Sequence, residues 1–167
     1  MKRSSLSPAC LLFLALVVIT FFVPRDLAAQ SAVPFRATIA ITESIQFIGT
    51  PPCISIGDVT GKGTATHLGK VTLDSNDCIN PINPTFTAFS FFSNGPVVLT
   101  VATGEQITAR YSGTLVVEGS VGIITGGYEI TGGTGRYVNA TGAGAVKGVE
   151  DMNTGKGQIQ LNGTISY

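Results

Sequence analysis

The sequence of 167 residues has no tryptophan, a single histidine, three cysteines and few charges. Charged residues make up 12% of the chain, about half the usual share, and their net charge is zero. One histidine is too few for a multi-histidine zinc site, and the balanced charge provides no basic surface for nucleic acid. Helical periodicity is also missing beyond the first thirty residues. Helical bundles, zinc enzymes of that kind and nucleic-acid-binding proteins are therefore disfavoured.

The N-terminal segment has the pattern of a secretory signal peptide. Two basic residues at positions 2 and 3 precede an uncharged apolar run from Ala9 to Val23, and small residues follow up to Ala29. The run is about fifteen residues long, which is short for a membrane span of about twenty. The sequence predicts a signal peptide over residues 1–29, cleaved after Ala29 or alternatively after Ala32. An uncleaved N-terminal anchor is the less favoured alternative.

The remaining residues, 30–167, are predicted to form one secreted or periplasmic domain. Removal of residues 1–29 takes away three of ten basic and one of ten acidic residues, which leaves seven against nine and a net charge of −2. About 138 residues suffice for one hydrophobic core. We expect no cofactor, no nucleic-acid partner and membrane contact only transiently through the signal peptide. The oligomeric state stays open.

Two cysteines, Cys53 and Cys78, lie in the predicted domain. An isolated pair in an oxidising compartment most often forms a disulfide, here closing a loop of about 25 residues. The alternative is a redox or metal pair. It lacks the Cys-x-x-Cys spacing and further histidines. We predict a structural Cys53–Cys78 disulfide and no metal site.

Alternating apolar and polar residues predict that the domain consists of strands. From Phe35 to Ile48, Ala37, Ile39 and Ile41 share one face, which is the period of a half-buried strand. About eight such segments separated by turn residues predict an all-β sandwich or barrel. The expected strands are Phe35–Ile48, one or two between Ile54 and Leu73, Thr85–Phe92, Val97–Ala102, Gln106–Val117, Ile123–Thr131, Val138–Val149 and Gly157–Tyr167, with a bulge near Glu43 and loops over Asp74–Asp77 and Asn80–Pro84.

A glycine-rich stretch after Ile130 predicts a tight reversal between two strands. Glycine tolerates positive φ and close backbone approach, and we expect Gly133 or Gly135, or both, to adopt a conformation closed to residues with a Cβ. Tyr137 and Val138 are expected to form an apolar plug after the turn. The glycines of this structural turn are Gly132, Gly133 and Gly135.

The same stretch carries a family resemblance. Gly-Gly-Thr-Gly-Arg-Tyr at 132–137 and Ala-Thr-Gly-Ala-Gly at 140–144 resemble a signature near the C-terminal end of allene-oxide-cyclase-like barrels. That group includes plant dirigent proteins and uncharacterised secreted bacterial proteins, and Gly61–Gly69 resembles an early strand of the bacterial members. The resemblance implies a single antiparallel barrel of about eight strands with a largely apolar interior. It carries over no active site, because the acidic, tyrosine and arginine residues of the plant proteins have no matching positions here.

The remaining polar motifs are incomplete. Residues 57–64 resemble a phosphate loop, but the glycine spacing is short and Gly63 separates the lysine from the threonine. Residues 151–155 resemble the start of a calcium loop without its closing glutamate, so a hairpin turn is favoured. His67 is a general base by residue type, although a lone histidine in this context is more often structural. No catalytic residue is assigned.

Four polar residues are the best candidates to reach an apolar interior and bind a ligand there: Tyr111, Glu118, Tyr128 and Glu129. A shift of one residue in register moves each of them to the other face. A carboxyl group buried in the interior would resist ionisation and could act as an acid.

Three functions stay open. The favoured one is a secreted, non-enzymatic binding or scaffold barrel for a small apolar ligand. A cofactor-free isomerase or cyclase, or a dirigent-like protein, is the second, and it follows from the family resemblance. A small outer-membrane barrel is the third, favoured by the leader and the terminal Tyr167 but opposed by the absence of tryptophan and by glycine-rich strands.

Overall fold

The computed structural model of the protein describes residues 31–167, so the predicted signal peptide, residues 1–29, lies outside the described part. Within residues 31–167, nine strands form one antiparallel sheet. They are β1 (Val33–Thr50), β2 (Cys53–Ala65), β3 (Gly69–Pro81), β4 (Ala88–Ser93), β5 (Val97–Val101), β6 (Gln106–Glu118), β7 (Val121–Gly133), β8 (Thr141–Asp151) and β9 (Lys156–Ser166). None of the helical segments in the described chain has the length and apolar character needed to span a membrane.

The sheet closes into a barrel. The strands follow the order β2-β1-β9-β8-β7-β6-β4-β3, and β2 also pairs with β3, which closes the ring. The short strands β4 and β5 share one position between β3 and β6, because β4 pairs with residues 77–81 of β3 and β5 with residues 71–74. The barrel therefore has eight strand positions, and the predicted antiparallel barrel of about eight strands is confirmed.

Side chains alternate between the interior and the outer surface, as strand geometry requires. In β1, Ala37, Ile39 and Ile41 are buried in one apolar core, whereas Arg36 and Thr38 are exposed. Full burial of each large aliphatic side chain contributes about 1.5–3 kcal/mol. The interior is therefore the hydrophobic core of the molecule.

Two of the sequence predictions for irregular segments were wrong. Asp74–Asp77 lies within β3, where all four residues pair with β2, Asp74 also pairs with β5 and Asp77 also pairs with β4. The register of β1 continues through Glu43, and its irregularity falls between Phe47 and Thr50. Pairing along both edges outweighs the low strand propensity of aspartate, asparagine and serine.

The predicted disulfide between Cys53 and Cys78 is confirmed. It joins the start of β2 to β3, with a Cα–Cα distance of 5.0 Å and a sequence separation of 25. A loop of this length corresponds to a stabilisation of roughly 3 kcal/mol in the chain-entropy model. The bond fixes the two strands at the same end of the barrel.

One end of the barrel, called the closed end below, is covered by a 3-10 helix, Gly135–Tyr137, between β7 and β8. Tyr137 is fully buried and packs against Tyr167 with ring centroids 5.0 Å apart. Val138 is 61% exposed, so only Tyr137 of the expected pair forms the apolar plug. Successive side chains of a helical turn point in different directions, and only one of the two can face inward.

The turn at the closed end is held by backbone conformation and by Glu105. Gly135 has φ of 58°, the left-handed region, and a Cβ at Gly133 would press on Tyr137. Glu105 accepts a hydrogen bond from the backbone N–H of Arg136 at 2.9 Å, and its other oxygen lies 3.5 Å from the Arg136 guanidinium. That backbone hydrogen bond is the main cause that holds the pKa of Glu105 below its usual value.

Candidate functional site

The barrel interior contains a cavity of about 70 Å³ with mainly aliphatic and aromatic walls. A volume of this size accommodates about five water-sized spheres. Three carboxyl groups, those of Glu43, Asp77 and Glu150, line the cavity towards the end opposite the 3-10 helix. Together with Tyr111 and Ser75 they are called the acidic cluster below, and that end is called the acidic end. No lysine, arginine or histidine lines this cavity within residues 31–167.

The carboxyl groups reach the interior because of their position in the strand alternation. Glu43 continues the inward series of Ile39 and Ile41 on β1. Asp77 and Glu150 occupy the equivalent inward positions of β3 and β8, and they are only 6% and 3% exposed. Three strands that are distant in sequence thus bring three carboxyl groups to one region of the cavity.

A glycine on β2 makes room for Glu43. Gly57 lies opposite Asp77 in the β2–β3 register. A Cβ at this position would collide with Oε1 of Glu43 and would lie 3.1 Å from Cδ1 of Ile79. A larger residue at position 57 would displace the Glu43 carboxyl group from its place in the wall.

Hydrogen bonds orient Asp77 within the acidic cluster. Its Oδ1 accepts from Ser75 Oγ at 2.8 Å and from Tyr111 Oη at 2.5 Å. The Tyr111 ring is held in turn by an edge contact with Phe91, with ring centroids 5.8 Å apart. Asp77 is therefore fixed as an acceptor, because two hydroxyl groups are directed at one of its oxygens.

Burial changes the protonation of the acidic cluster. Burial, followed by repulsion from Glu150, raises the pKa of Glu43 to about 9. Burial raises the pKa of Asp77 to about 6, although the hydrogen bonds from Tyr111 and Ser75 oppose the rise. Burial also raises the pKa of Glu150, and a hydrogen bond with Glu43 partly offsets this rise. At neutral pH Glu43 keeps its proton next to Glu150, whereas Asp77 is largely ionised.

Two buried polar atoms in the cavity wall have no hydrogen-bond partner within the described chain: Tyr128 Oη and Glu150 Oε2. Tyr128 is 6% exposed; a Cβ at Gly144 would collide with its ring, and a Cβ at Gly163 would collide with its hydroxyl oxygen. Buried polar groups in folded proteins nearly always have a partner. Unpartnered atoms that line a cavity are therefore candidate contacts for a ligand.

The structure separates the four predicted ligand-binding residues into two pairs. Tyr111 and Tyr128 line the cavity. Glu118 and Glu129 are exposed on the outer surface, which corrects the expectation that they reach the interior. Strand alternation explains the split, because Glu129 is adjacent to Tyr128 and Glu118 follows Tyr111 by an odd number of residues. The ligand-binding role of the two tyrosines stays a prediction.

Sequence reasoning missed all three carboxyl groups of the acidic cluster. Glu43 was assigned to a bulge and Asp77 to a loop, and Glu150 was not singled out. The available signal was the spacing of two residues between Ile41 and Glu43, which places both side chains on the same face of a regular strand. Asp77 follows the buried Leu73 by four residues and lies on the same face of β3, but its polar neighbours favoured the prediction of a loop.

Other sequence candidates lie outside the cavity. His67 is exposed in the β2–β3 turn, with φ of 65° and Nε2 3.2 Å from the carbonyl oxygen of Pro34. In the β8–β9 turn the Asp151 carboxylate accepts the backbone N–H of Asn153 at 2.8 Å, so this segment is a hairpin turn. Residues 31–167 contain no group of three or more side chains arranged to hold a metal ion.

The fold and the site define a class: a closed antiparallel barrel with an apolar interior, one covered end and one acidic end. No protein-family model matches the chain, and no curated protein sequence matches it either. Among solved structures the chain is similar to a pterocarpan synthase dirigent protein. The TM-score is 0.52 at 12% sequence identity, covering 90% of this chain and 99% of that chain. The fold is thus dirigent-like, and at this identity the likeness concerns the fold alone.

Proposed function

We propose that this protein is a binding or scaffold barrel that holds a small, largely apolar molecule in its interior. The observation that carries the proposal is the pair of unpartnered buried atoms, Tyr128 Oη and Glu150 Oε2, in an apolar cavity. An unsatisfied buried polar group costs about 1–3 kcal/mol. A ligand with one polar end would supply the missing partner, and the apolar walls would hold its body.

The acidic end is the route of entry in this proposal. Among the residues that line the cavity, Glu43, Phe91 and Tyr111 are only partly buried. At the closed end Tyr137 and Ile165 are fully buried. Because the cavity is only about 70 Å³, a guest larger than a few carbon atoms requires side chains at the acidic end to move.

Methyl NMR tests this proposal with 1-butanol as a small neutral probe. The probe should shift the methyl resonances of Ile124 and Val146, which line the cavity, and leave that of the exposed Val138 in place. Ala109→Leu fills the cavity and should abolish those shifts, whereas Ala143→Leu, on the outer surface, should keep them. Methyl resonances of Ile124 and Val146 that stay unchanged at high concentrations of 1-butanol would contradict the proposal.

We further propose that the protein acts outside the cytoplasm, in the secreted branch of the allene-oxide-cyclase-like group. The Cys53–Cys78 disulfide is compatible with an oxidising compartment, and the N-terminal sequence pattern supports export. N-terminal sequencing of exported protein should begin at Gln30. Exported protein that still begins with Met1 would overturn this assignment.

A cofactor-free isomerase or cyclase is the second candidate, and the acidic cluster favours it. Glu43, with a pKa raised to about 9, and Asp77, with one raised to about 6, offer a proton donor and a proton acceptor in one apolar pocket. Incubation with a metabolite extract in deuterated water tests it. A deuterated product formed by the native protein but not by Glu43→Gln would support the enzyme, and its absence would favour the binding barrel.

The outer-membrane alternative is not proposed. Outward positions of β9 are polar, as at Gln158, Gln160 and Asn162, whereas Ile159 and Leu161 face the interior. A membrane barrel has the reverse arrangement, with an apolar outer band.

A further inference from the structure

The acidic cluster has no basic side chain beside it in the described part of the chain. Among the described residues that line the cavity, Glu43, Asp77 and Glu150 are the ionisable carboxyl groups, and no lysine, arginine or histidine accompanies them. The ion pair formed by Arg136 and Glu105 lies at the closed end. Buried carboxylates are costly unless a proton or an opposite charge compensates them. In the protein alone, the proton that Glu43 keeps at neutral pH supplies part of that compensation.

We propose that the natural ligand is a small apolar molecule with one protonated amine, whose ammonium group lies against Glu150 and Glu43 and whose apolar body lies among the aliphatic walls. This inference rests on the proposed binding function and names the chemistry of its ligand.

The unpartnered atoms favour an ammonium group over other polar ends. Glu150 lines the cavity and is 3% exposed, and its Oε2 has no hydrogen-bond partner within the described chain. An ammonium group has three donors and no acceptor, so it suits a site with several carboxyl oxygens. Tyr128, another residue of the cavity wall and independent of the acidic cluster, also has a hydroxyl without a partner in the described chain. An anion would be repelled by the ionised Asp77, whereas a neutral hydroxyl would leave the proton of Glu43 in place and form no charge pair.

Proton linkage gives the inference a signature. The titratable groups of the acidic cluster are Glu43 on β1, Asp77 on β3, Tyr111 on β6 and Glu150 on β8. Because the cluster holds protons that a cation would replace, amine binding must release protons. Amine affinity should therefore rise with pH through the range from about 6 to 9, in which Asp77 and Glu43 ionise.

Three probes with the same short chain separate the charge from the apolar body: n-butylamine, 1-butanol and butyrate. At pH 8 we expect butylamine to bind at least tenfold more tightly than 1-butanol and butyrate to shift no cavity methyl. The advantage of the amine should shrink at pH 5. Calorimetry in two buffers of different ionisation enthalpy should detect proton release with butylamine and none with 1-butanol.

Variants locate the effect. Glu43→Gln combined with Glu150→Gln should lower the butylamine affinity to that of 1-butanol, whereas Glu118→Gln, on the outer surface, should change neither. The melting temperature shows whether the double variant folds, and Glu150→Gln alone serves if it does not. Equal affinities for butylamine and 1-butanol would overturn this inference and leave the proposed function standing. Failure of both probes to shift Ile124 would overturn both, and a preserved amine preference in the folded Gln variant would also overturn the inference.

Discussion

The two ends of the barrel differ in what stabilises them. At the closed end, Tyr137 is buried against Tyr167, and the ion pair of Arg136 with Glu105 lies at the surface. At the acidic end, burial raises the pKa of Glu43, Asp77 and Glu150, and Glu43 keeps its proton at neutral pH. The acidic end thus buries ionisable groups at a cost, whereas the closed end buries an aromatic ring whose Oη has no hydrogen-bond partner within the described chain. Costly buried groups beside a cavity are typical of functional sites, where activity outweighs stability.

The disulfide lies at the less favourable end. Cys78 directly follows Asp77, and its partner Cys53 begins β2. The cross-link lowers the entropy of the unfolded chain. It therefore offsets part of the cost of burying the acidic cluster next to it.

Truncation of the buried tyrosine should have the largest effect. We expect Tyr137→Ala to lower the free energy of unfolding by about 4 kcal/mol, since it removes a large buried aromatic side chain. The exposed neighbour Val138→Ala should change it by less than about 0.5 kcal/mol. Urea denaturation measures both. Similar values for the two variants would show that the closed end is not a packed plug.

Removal of the disulfide should have the next largest effect. The double variant Cys53→Ala, Cys78→Ala should lose about 2–4 kcal/mol of stability to urea. Native protein in a reducing agent is the control and should lose a similar amount. Non-reducing peptide mapping that found both thiols free in exported protein would contradict the bridge at the acidic end.

Stability should fall as pH rises, because the carboxyl groups of the acidic cluster have raised pKa values in the folded state. The folded protein binds more protons than the unfolded chain between pH 4 and 9, so this contribution is complete below about pH 4 and is lost as Asp77 and Glu43 ionise near 6 and 9. We expect urea denaturation to give a smaller free energy of unfolding at pH 9 than at pH 5, with the decrease set mainly by Glu43.

Glu43→Gln should flatten the pH dependence and raise the melting temperature at pH 9. Glu129→Gln, an exposed control, should leave the curve unchanged. A free energy of unfolding that rises between pH 5 and 9 in the native protein would refute the conclusion that the carboxyl groups of the acidic end have raised pKa values.

Backbone conformation at the closed end should give the smallest loss. Gly135→Ala should cost about 1–2 kcal/mol, because alanine disfavours a φ of 58°. Gly119→Ala is the matched control, because Gly119 has a similar φ of 65° but open space around it. This variant measures the cost of the backbone conformation alone, whereas a Cβ at Gly135 would also meet Glu105. Arg136→Ala should cost within about 0.5 kcal/mol. If Arg136→Ala abolished ligand binding at an unchanged melting temperature, the turn would belong to the functional site.

Strand faces could be predicted from the sequence wherever alternation was regular. The inward series of Ala37, Ile39 and Ile41 was correct, and so were the barrel and the disulfide. Alternation is a local property, because adjacent side chains in any strand point to opposite faces. The cysteine pair needed only the count of cysteines and the predicted compartment.

The acidic end could not be predicted, because no local pattern defines it. Asp77 lies in a polar run that favours a loop, and it became part of a strand through pairing with β2 and β4. Pairing of β7 with β6 and β8 decided that Glu129 faces outward and Tyr128 faces inward. A shift of one residue would have exchanged them.

Local patterns and a residue count were enough to predict the strand composition, the glycine turn and the cross-link, because each depends on residues close together or on a simple count. The meeting of Glu43, Asp77 and Glu150 in one cavity follows from closure of the barrel and from no local pattern. They lie on three strands of a barrel whose closure places β1, β3 and β8 around a common interior. Register between strands distant in sequence fixes which side chains face inward, and the energy of burying the whole apolar face sets that register.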